Sequence, residues 1–194
     1  GLPAGATIGT SSLRRKSQLA AMRPDLNIVD LRGNIDTRLR KLDQGQYDGI
    51  ILAGAGLHRL GLANRITTLL PAEQMLPAIS QGALGIELRQ DDSELFEGLQ
   101  FLHHQETAVA VAAERAFLLR LEGGCQVPIG AHATLADNTL TLTGLIASVD
   151  GGRIIRDSLS GPLEEAAAIG LGLADRLLER GGKAILDAVY RDTH

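Results

Sequence analysis

The fold is decided by the stretch Ala6-Thr7-Ile8-Gly9-Thr10-Ser11-Ser12-Leu13-Arg14-Arg15, which passes from a short apolar run through three hydroxyl residues into a helical pattern. The apolar run predicts a buried strand over Ala6–Gly9. The hydroxyls are suited to capping a helix, and the helical pattern extends from Leu13 to Met22. A strand that leads at once into a helix predicts the start of an α/β fold.

Two further strands continue this alternation. The sequence predicts a strand over Leu26–Leu31, a helix over Ile35–Leu42 with Asn34 as its cap, and a third strand, rich in branched residues, over Tyr47–Ala53. Strands and helices that alternate at such short spacing are typical of a parallel sheet with helices on its faces.

Arginine is concentrated near one end of this predicted sheet. The chain has sixteen arginines and three lysines, and guanidinium forks match carboxylate or phosphate groups. Ligands of parallel sheets bind beyond the carboxyl ends of the strands, where three loops fall: Gly9–Ser12, Arg32–Asn34 and Gly54–Gly56. The first loop opens a helix, whose free amides favour an anion. Two interpretations remain open for the arginines near these loops: they converge on one anion site, or they are scattered surface charges. The five arginines are Arg14, Arg15, Arg32, Arg38 and Arg59.

The second half of the chain has a different pattern. Leu84–Leu88 alternates like a strand, and Ser93 is a candidate cap for a helix that runs to about Leu102. The segment Thr107–Leu121 is the most apolar helical pattern, so we expect that helix to be buried on most sides.

An antiparallel meander follows. Its strands are predicted over Ala131–Leu135, Thr139–Val149 and Arg153–Leu159. Helices are predicted from Gly161-Pro162 to Glu179 and over Ala184–Tyr190. The predicted fold class is an α/β parallel-sheet lobe followed by a small α+β domain with a three-stranded antiparallel sheet.

The only cysteine lies in the stretch Leu121-Glu122-Gly123-Gly124-Cys125-Gln126-Val127-Pro128-Ile129-Gly130. Flanking glycines and a proline favour a loop that displays the thiol, whereas the alternative is a small buried hydrophobe. A thiol hydrolase would need a histidine beside Cys125, and the spacing of His103, His104 and His132 does not predict one. We expect His103 and His104 to be solvated rather than metal ligands.

Composition narrows the class of protein. The chain has 194 residues and a net charge of -4, which argues against bulk nucleic-acid binding. It has no apolar run long enough for a bilayer and no secretion signal, so we expect no membrane partner. One cysteine and no zinc spacing fit a reducing cytoplasm and predict no metal site.

Several motifs in series resemble the porphobilinogen deaminase family, also called hydroxymethylbilane synthases. They are Gly9–Arg15, Leu31–Asn34 with Thr37–Leu39, Ala55–Leu60, Leu76–Gly82 and Leu121–Gly130. The resemblance covers essentially the whole chain. It implies a type II periplasmic-binding-protein-like lobe over residues 1–82, a segment over 83–102 that returns to a first domain, and a cysteine-carrying α+β domain over 103–194.

The resemblance also implies a function. In that family a transferase condenses four porphobilinogen molecules head to tail on a dipyrromethane cofactor and releases ammonia, then hydroxymethylbilane, in tetrapyrrole and heme biosynthesis. It implies that Cys125 holds the cofactor through a thioether. The residues matched to cofactor binding are Thr10, Ser12, Arg14, Arg15, Arg38 and Gln81. Those matched to the incoming substrate are Arg32, Gly33, Arg38 and Arg59.

The chain departs from the family pattern at its start. The family's first domain should precede Gly1, and it contributes the aspartate that protonates the leaving amine, so the resemblance leaves that general acid without a counterpart here. We therefore expect an inactive fragment of a monomeric enzyme, without its cofactor. Its segment 83–102 is expected to pair with a second copy, to fold against its own domains or to be disordered. The alternative function is a non-enzymatic module that binds small anions.

Overall fold

The computed structural model describes residues 1–122 and 127–192. A parallel sheet of three strands opens the chain, in the spatial order β2-β1-β3. Its strands are β1 (Thr7–Gly9), β2 (Asn27–Val29) and β3 (Gly49–Ile50), and the helices that alternate with them are α1 (Leu13–Met22), α2 (Ile35–Asp43) and α3 (Gly54–Arg59). The predicted parallel sheet is confirmed. We call β1–β3 with α1–α3 the parallel-sheet region.

Local capping explains where the first two helices begin. The Ser12 hydroxyl accepts the Arg15 N–H at 3.4 Å, and the Asn34 side chain accepts the Thr37 N–H at 2.9 Å. Each bond satisfies an amide that has no partner within its own helix. The expected loop over Gly54–Gly56 is wrong, because these residues form the first half of α3.

The segment that joins the two sheets is irregular. It contains a short 3₁₀ turn at Ala63–Arg65, helix α4 (Ser93–Gly98) and a second 3₁₀ turn at Gln100–Leu102. The cap of α4 is Asp92 rather than the predicted Ser93, which is the first helical residue.

The predicted strand over Leu84–Leu88 is wrong. A strand needs a neighbouring strand to satisfy its backbone groups, and no ladder of the described sheets includes these residues. Leu84 is 81 % exposed and Phe96 is 59 % exposed. Of the three outcomes expected for residues 83–102, folding against the chain's own domains is therefore not what the structure shows.

A second sheet is antiparallel, in the order β4-β5-β6. Its strands are β4 (Ile129–Ala136), β5 (Thr139–Ala147) and β6 (Ile154–Pro162), and its helices are α5 (Gln105–Arg120), α6 (Ala166–Leu177) and α7 (Lys183–Asp192). The predicted meander is confirmed. Gly161-Pro162 was expected to open a helix, but it ends β6 instead, and a 3₁₀ turn separates it from α6. We call β4–β6 with α5–α7 the antiparallel-sheet region.

The main core lies between the antiparallel sheet and its helices. Among the described residues it contains eighteen buried apolar side chains, and Phe117 of α5 is fully buried. Helix α5 buries only one face, because Leu119 is 79 % exposed. The prediction that this helix is buried on most sides is therefore wrong. Among the described helices, none combines the length and the apolar character needed to cross a bilayer.

The two regions meet at a junction built around Leu76. Its side chain packs with Leu145 and Ala147 of β5 in a small buried cluster. The Ala131 N–H donates to the Pro77 carbonyl at 3.2 Å, which joins the edge of β4 to the connecting segment. The predicted division into domains at residues 82 and 102 stays a prediction.

Candidate functional site

The candidate site lies at the carboxyl ends of β1 and β2, where α1 begins. Here the Thr10 N–H donates to the Val29 carbonyl at 2.9 Å. The Ser11 hydroxyl donates to the Leu31 carbonyl at 2.9 Å and accepts the Leu31 N–H at 3.0 Å. These bonds tie the hydroxyl loop to the chain that leaves β2, so the start of α1 is held in a fixed position.

Arg14 is the most deeply placed of the predicted arginines, and only 8 % of its surface is exposed. Its Nη1 donates to the Leu76 carbonyl, and its Nη2 donates to the Gln81 Oε1 at 3.3 Å. Burial, with the charge of Arg15 as a second cause, lowers the pKa of Arg14 to about 10. At neutral pH the group is still protonated, so the molecule maintains a buried positive charge here.

Arg15 and Arg38 come together at the same edge. Nη1 of Arg15 donates to the Ile51 carbonyl at 3.1 Å, just beyond β3. Nε of Arg38 donates to the Gly33 carbonyl at 2.7 Å. Burial lowers the pKa of Arg15, and the like charge of Arg38 lowers it further. Arg14, Arg15 and Arg38 thus place three positive charges near one end of the parallel sheet, and we call this group the arginine edge.

The remaining predicted substrate residues are more open. Arg32 and Arg59 are exposed, and Gly33 contributes only its carbonyl, to Arg38. Helix α3, which carries Arg59, packs on the start of α2, since a Cβ at Gly56 would lie 2.8 Å from Ile35 Cδ1. Within the described residues, the side chains of Arg32 and Arg59 form no hydrogen bond and no ion pair.

None of the five predicted arginines forms an ion pair with a carboxylate within the described ranges 1–122 and 127–192. Some other arginines are paired, for example Arg23 with Asp25 at 2.7 Å and Arg120 with Asp175 at 2.7 Å. Positive charges gathered without fixed counter-ions attract an external anion. Because the charges lie along an edge, the arrangement suits an anion with several carboxylate or phosphate groups.

Sequence reasoning missed two side chains of this site. Gln18, one helical turn beyond Arg14, accepts the Leu76 N–H at 2.8 Å and donates to the Leu76 carbonyl at 3.1 Å. Glu114 of α5 accepts the Ser80 N–H at 2.6 Å and the Ala133 N–H at 2.9 Å. The helical spacing to Arg14 could have indicated Gln18, whereas nothing local indicated Glu114.

The predicted cofactor attachment site, Cys125, lies outside the described residues. The described elements on either side of it are helix α5, which ends at Arg120, and strand β4, which begins at Ile129. His103 and His104 are exposed, as expected, and the His104 side chain caps α5 by accepting the Thr107 N–H at 3.2 Å. Among the described residues no three His, Cys, Asp or Glu side chains gather into a possible metal site.

The fold and the site together define an α/β protein with a positively charged edge at the carboxyl ends of a parallel sheet. Comparison with known families is consistent with that class. The family model "Porphobilinogen deaminase, dipyromethane cofactor binding domain" matches residues 1–97, and the model "Porphobilinogen deaminase, C-terminal domain" matches residues 108–179. The chain therefore belongs to the porphobilinogen deaminase family.

Curated relatives agree with this assignment. The chain is 57% identical over 187 residues to the porphobilinogen deaminase of Trichlorobacter lovleyi, which covers 96% of the chain and 60% of that relative. It is 57% identical over 188 residues to the porphobilinogen deaminase of Syntrophotalea carbinolica, and the match covers 97% of the chain and 60% of that relative. It is 55% identical over 189 residues to the porphobilinogen deaminase of Synechococcus elongatus, and the match covers 97% of the chain and 59% of that relative. The chain thus spans about 60% of the length of these relatives.

Proposed function

We propose that these residues form part of a porphobilinogen deaminase, a transferase that condenses four porphobilinogen molecules on a cysteine-linked dipyrromethane and releases ammonia and hydroxymethylbilane. Membership of the family supports the reaction class. The observation that carries the proposal is the arginine edge, whose guanidinium groups have no carboxylate partner among the described residues.

The charge of the proposed ligand matches this edge. Each pyrrole ring of the growing chain carries two carboxylates, so every condensation adds negative charge that fixed cations must offset. Arginine keeps its proton even when partly buried, and the pKa of Arg14, about 10, leaves that group charged at neutral pH. The residues present therefore fit a polycarboxylate.

We assign the cofactor carboxylates to Thr10, Ser12, Arg15 and Arg38, together with the free amides at the start of α1. Both Nη atoms of Arg14 already donate, to the Leu76 carbonyl and to Gln81. Its proposed contribution is thus mainly the field of a fixed positive charge, and Gln81 holds that charge in place. The exposed arginines, Arg32 and Arg59, together with Arg38 and the Gly33 backbone, receive the incoming porphobilinogen.

Cys125 is proposed as the nucleophile that alkylation converts into the cofactor's thioether anchor. When bound, the dipyrromethane supplies the terminal pyrrole to which new units add. The protein's own part is to hold the carboxylates and to maintain positive charge beside them. The sulfur must remain a thiol until it is alkylated, which fits action in the cytoplasm.

Two structural features complete the proposal. The strand order β2-β1-β3 supports a lobe of the type II periplasmic-binding-protein kind, with its ligand at the carboxyl ends of the strands. The exposed apolar side chains of residues 83–102, among them Leu84 and Phe96, support packing of that segment against a further domain of the full-length protein.

A fusion protein tests the proposed function. The part of the Trichlorobacter lovleyi porphobilinogen deaminase that this chain does not match is joined to the chain, and the intact mass of the purified fusion is measured. We expect a mass above that of the sequence by one dipyrromethane, production of hydroxymethylbilane from porphobilinogen, and loss of both in Cys125→Ser. Ser158→Ala, at an exposed position of β6, is the control and should retain both.

The alternative is a module that binds small anions without catalysis, since the arginine edge alone could bind an anion without the thiol. The same fusion distinguishes the two functions. A protein of unmodified mass that binds simple carboxylates and consumes no porphobilinogen would contradict the deaminase proposal and favour the binding module.

A further inference from the structure

The backbone between Leu76 and Gln81, which we call the crossing segment, is held by side chains from both regions. Arg14 and Gln18 of α1 bind the Leu76 carbonyl, and Gln18 also accepts the Leu76 N–H. The Ala78 N–H donates to Gln81 Oε1 at 3.1 Å, and Gln81 Oε1 also accepts Nη2 of Arg14 at 3.3 Å. The conformation of this segment therefore determines where Gln81 and the guanidinium of Arg14 lie.

Glu114 joins the crossing segment to the antiparallel sheet. Its side chain is 8% exposed. One oxygen, Oε2, accepts the Ser80 N–H at 2.6 Å, and the other, Oε1, accepts the Ala133 N–H of β4 at 2.9 Å. The nearest ionisable group is His132, whose Nδ1 lies 3.9 Å from Oε1. One carboxylate thus joins Ser80 of the crossing segment to β4, in addition to the bond from the Ala131 N–H to the Pro77 carbonyl.

Ser80 has a backbone conformation that needs stabilisation from elsewhere in the molecule. Its φ is +59°, in the left-handed region that residues other than glycine rarely adopt. Its hydroxyl is buried and has no hydrogen-bond partner within the described part of the chain. The side chain therefore does not stabilise this backbone conformation, whereas the bond from its N–H to Glu114 does. The next residue along the chain is Gln81, which binds Arg14.

We infer that Glu114 is a positioning residue for the arginine edge: it fixes Ser80, and through Ser80 it sets the place of Gln81 and of the Arg14 guanidinium. The identity of the bound anion rests on the proposed function. The coupling from Glu114 to Arg14 rests on the contacts alone, so an experiment can contradict the coupling without contradicting the proposed function, and the reverse.

The test measures the solvent exchange of the Arg14 guanidinium protons by NMR, in the chain with ¹⁵N-labelled arginine. In Glu114→Gln one of the two backbone donors loses its acceptor, so Arg14 should exchange at least about tenfold faster. Glu106→Gln, at an exposed position of the same helix, is the matched control and should leave the exchange of Arg14 within about twofold of the starting chain.

A second variant shows whether the effect passes through Ser80. Ser80→Gly relieves the left-handed conformation, because glycine adopts positive φ at no steric cost, so the crossing segment should then need Glu114 less. We expect Arg14 exchange in the double variant Ser80→Gly/Glu114→Gln to stay within about threefold of Ser80→Gly alone. If Glu114→Gln alone does not fold, this pair still gives the answer.

Three results would overturn the inference. They are an unchanged Arg14 exchange rate in Glu114→Gln, an equal acceleration of the labelled arginine backbone amides, which indicates general loosening, and a double variant as fast as or faster than Glu114→Gln. Failure of a polycarboxylate to bind the starting chain would instead overturn the proposed function and leave the exchange comparison intact.

Discussion

The two sheets of this molecule are stabilised to very different degrees. The parallel strands are two or three residues long, and their buried cluster consists of Ile8, Leu19 and Met75. The antiparallel strands are eight or nine residues long and cover a core that has eighteen buried residues in the described part of the chain. Most of the buried apolar surface, which is the main favourable contribution to folding, therefore belongs to the antiparallel-sheet region.

The two regions also differ in how their arginines are paired. In the antiparallel-sheet region Arg120 pairs with Asp175 and Arg180 pairs with Asp157. The arginine edge of the parallel-sheet region has no such partners among the described residues, and burial, followed by the like charge of a neighbouring arginine, lowers the pKa of Arg14 and of Arg15. The parallel-sheet region, which carries the arginine edge, therefore has only a small core of its own. We infer that its stability depends on the junction with the antiparallel-sheet region.

The largest expected effect comes from the core of the antiparallel-sheet region. Phe117 is fully buried, and a Cβ at Gly144 would lie 2.6 Å from its ring, so the two sites are closely packed. Phe117→Ala should lower the free energy of unfolding by about 3–5 kcal/mol, measured by urea denaturation. Leu119→Ala, on the exposed face of the same helix, should change it by less than about 0.5 kcal/mol. Equal losses in the two variants would contradict the comparison.

The junction between the regions gives the next effect. Gly151, in the turn between β5 and β6, has φ +72°, and a Cβ there would lie 2.4 Å from the Ser17 carbonyl of α1. Gly151→Ala should therefore force the turn away from α1.

Gly61→Ala is the matched control for this variant, because Gly61 has φ +69° and open space around it. The backbone strain is common to both variants, so the difference in their unfolding free energies isolates the contact. We expect that difference to be about 1–3 kcal/mol. Two variants of equal stability would show that the regions do not depend on this contact.

The smallest effect concerns the ionisation of Glu114. Burial raises its pKa, against the opposing effects of the Ser80 and Ala133 N–H groups and of His132. A carboxyl whose pKa is higher in the folded than in the unfolded chain binds protons more readily when folded, so this contribution to stability is lost as the pH rises.

Urea denaturation from pH 4 to pH 8, flanking the ordinary value near 4.5, measures this contribution. The unfolding free energy of the starting chain, relative to that of Glu114→Gln, should fall as the pH rises through and above that value. Glu106→Gln serves as the control and should follow the starting chain. A relative stability that rises with pH would show that the bonds to the carboxylate outweigh its burial.

The sequence predicted what depends on neighbouring residues. The bounds of α1, a cap from the hydroxyl run before it, which is Ser12, and the cap Asn34 are confirmed, because capping involves residues only three positions apart. The strand over Leu84–Leu88 was wrong, because alternation cannot show whether a partner strand exists.

The same limit applies to the candidate site. Glu114 was missed because its partners lie 34 and 19 residues away along the chain. Arg14 was predicted as an anion ligand, but its distant contact with Leu76 shows that it is also bound to the chain's own backbone. Local residue types predicted which side chains carry the charge, whereas the long-range contacts that hold them required the structure.

The central claim is that the arginine edge binds a polycarboxylate, and calorimetric titration with a synthetic dipyrromethane that carries four carboxylates tests it most directly. Arg38→Gln should weaken binding about tenfold, the loss expected for one charged hydrogen bond. Arg23→Gln, which removes an exposed arginine already paired with Asp25, should change it by less than about twofold. Equal affinities in the two variants, or no binding by the starting chain, would contradict the claim.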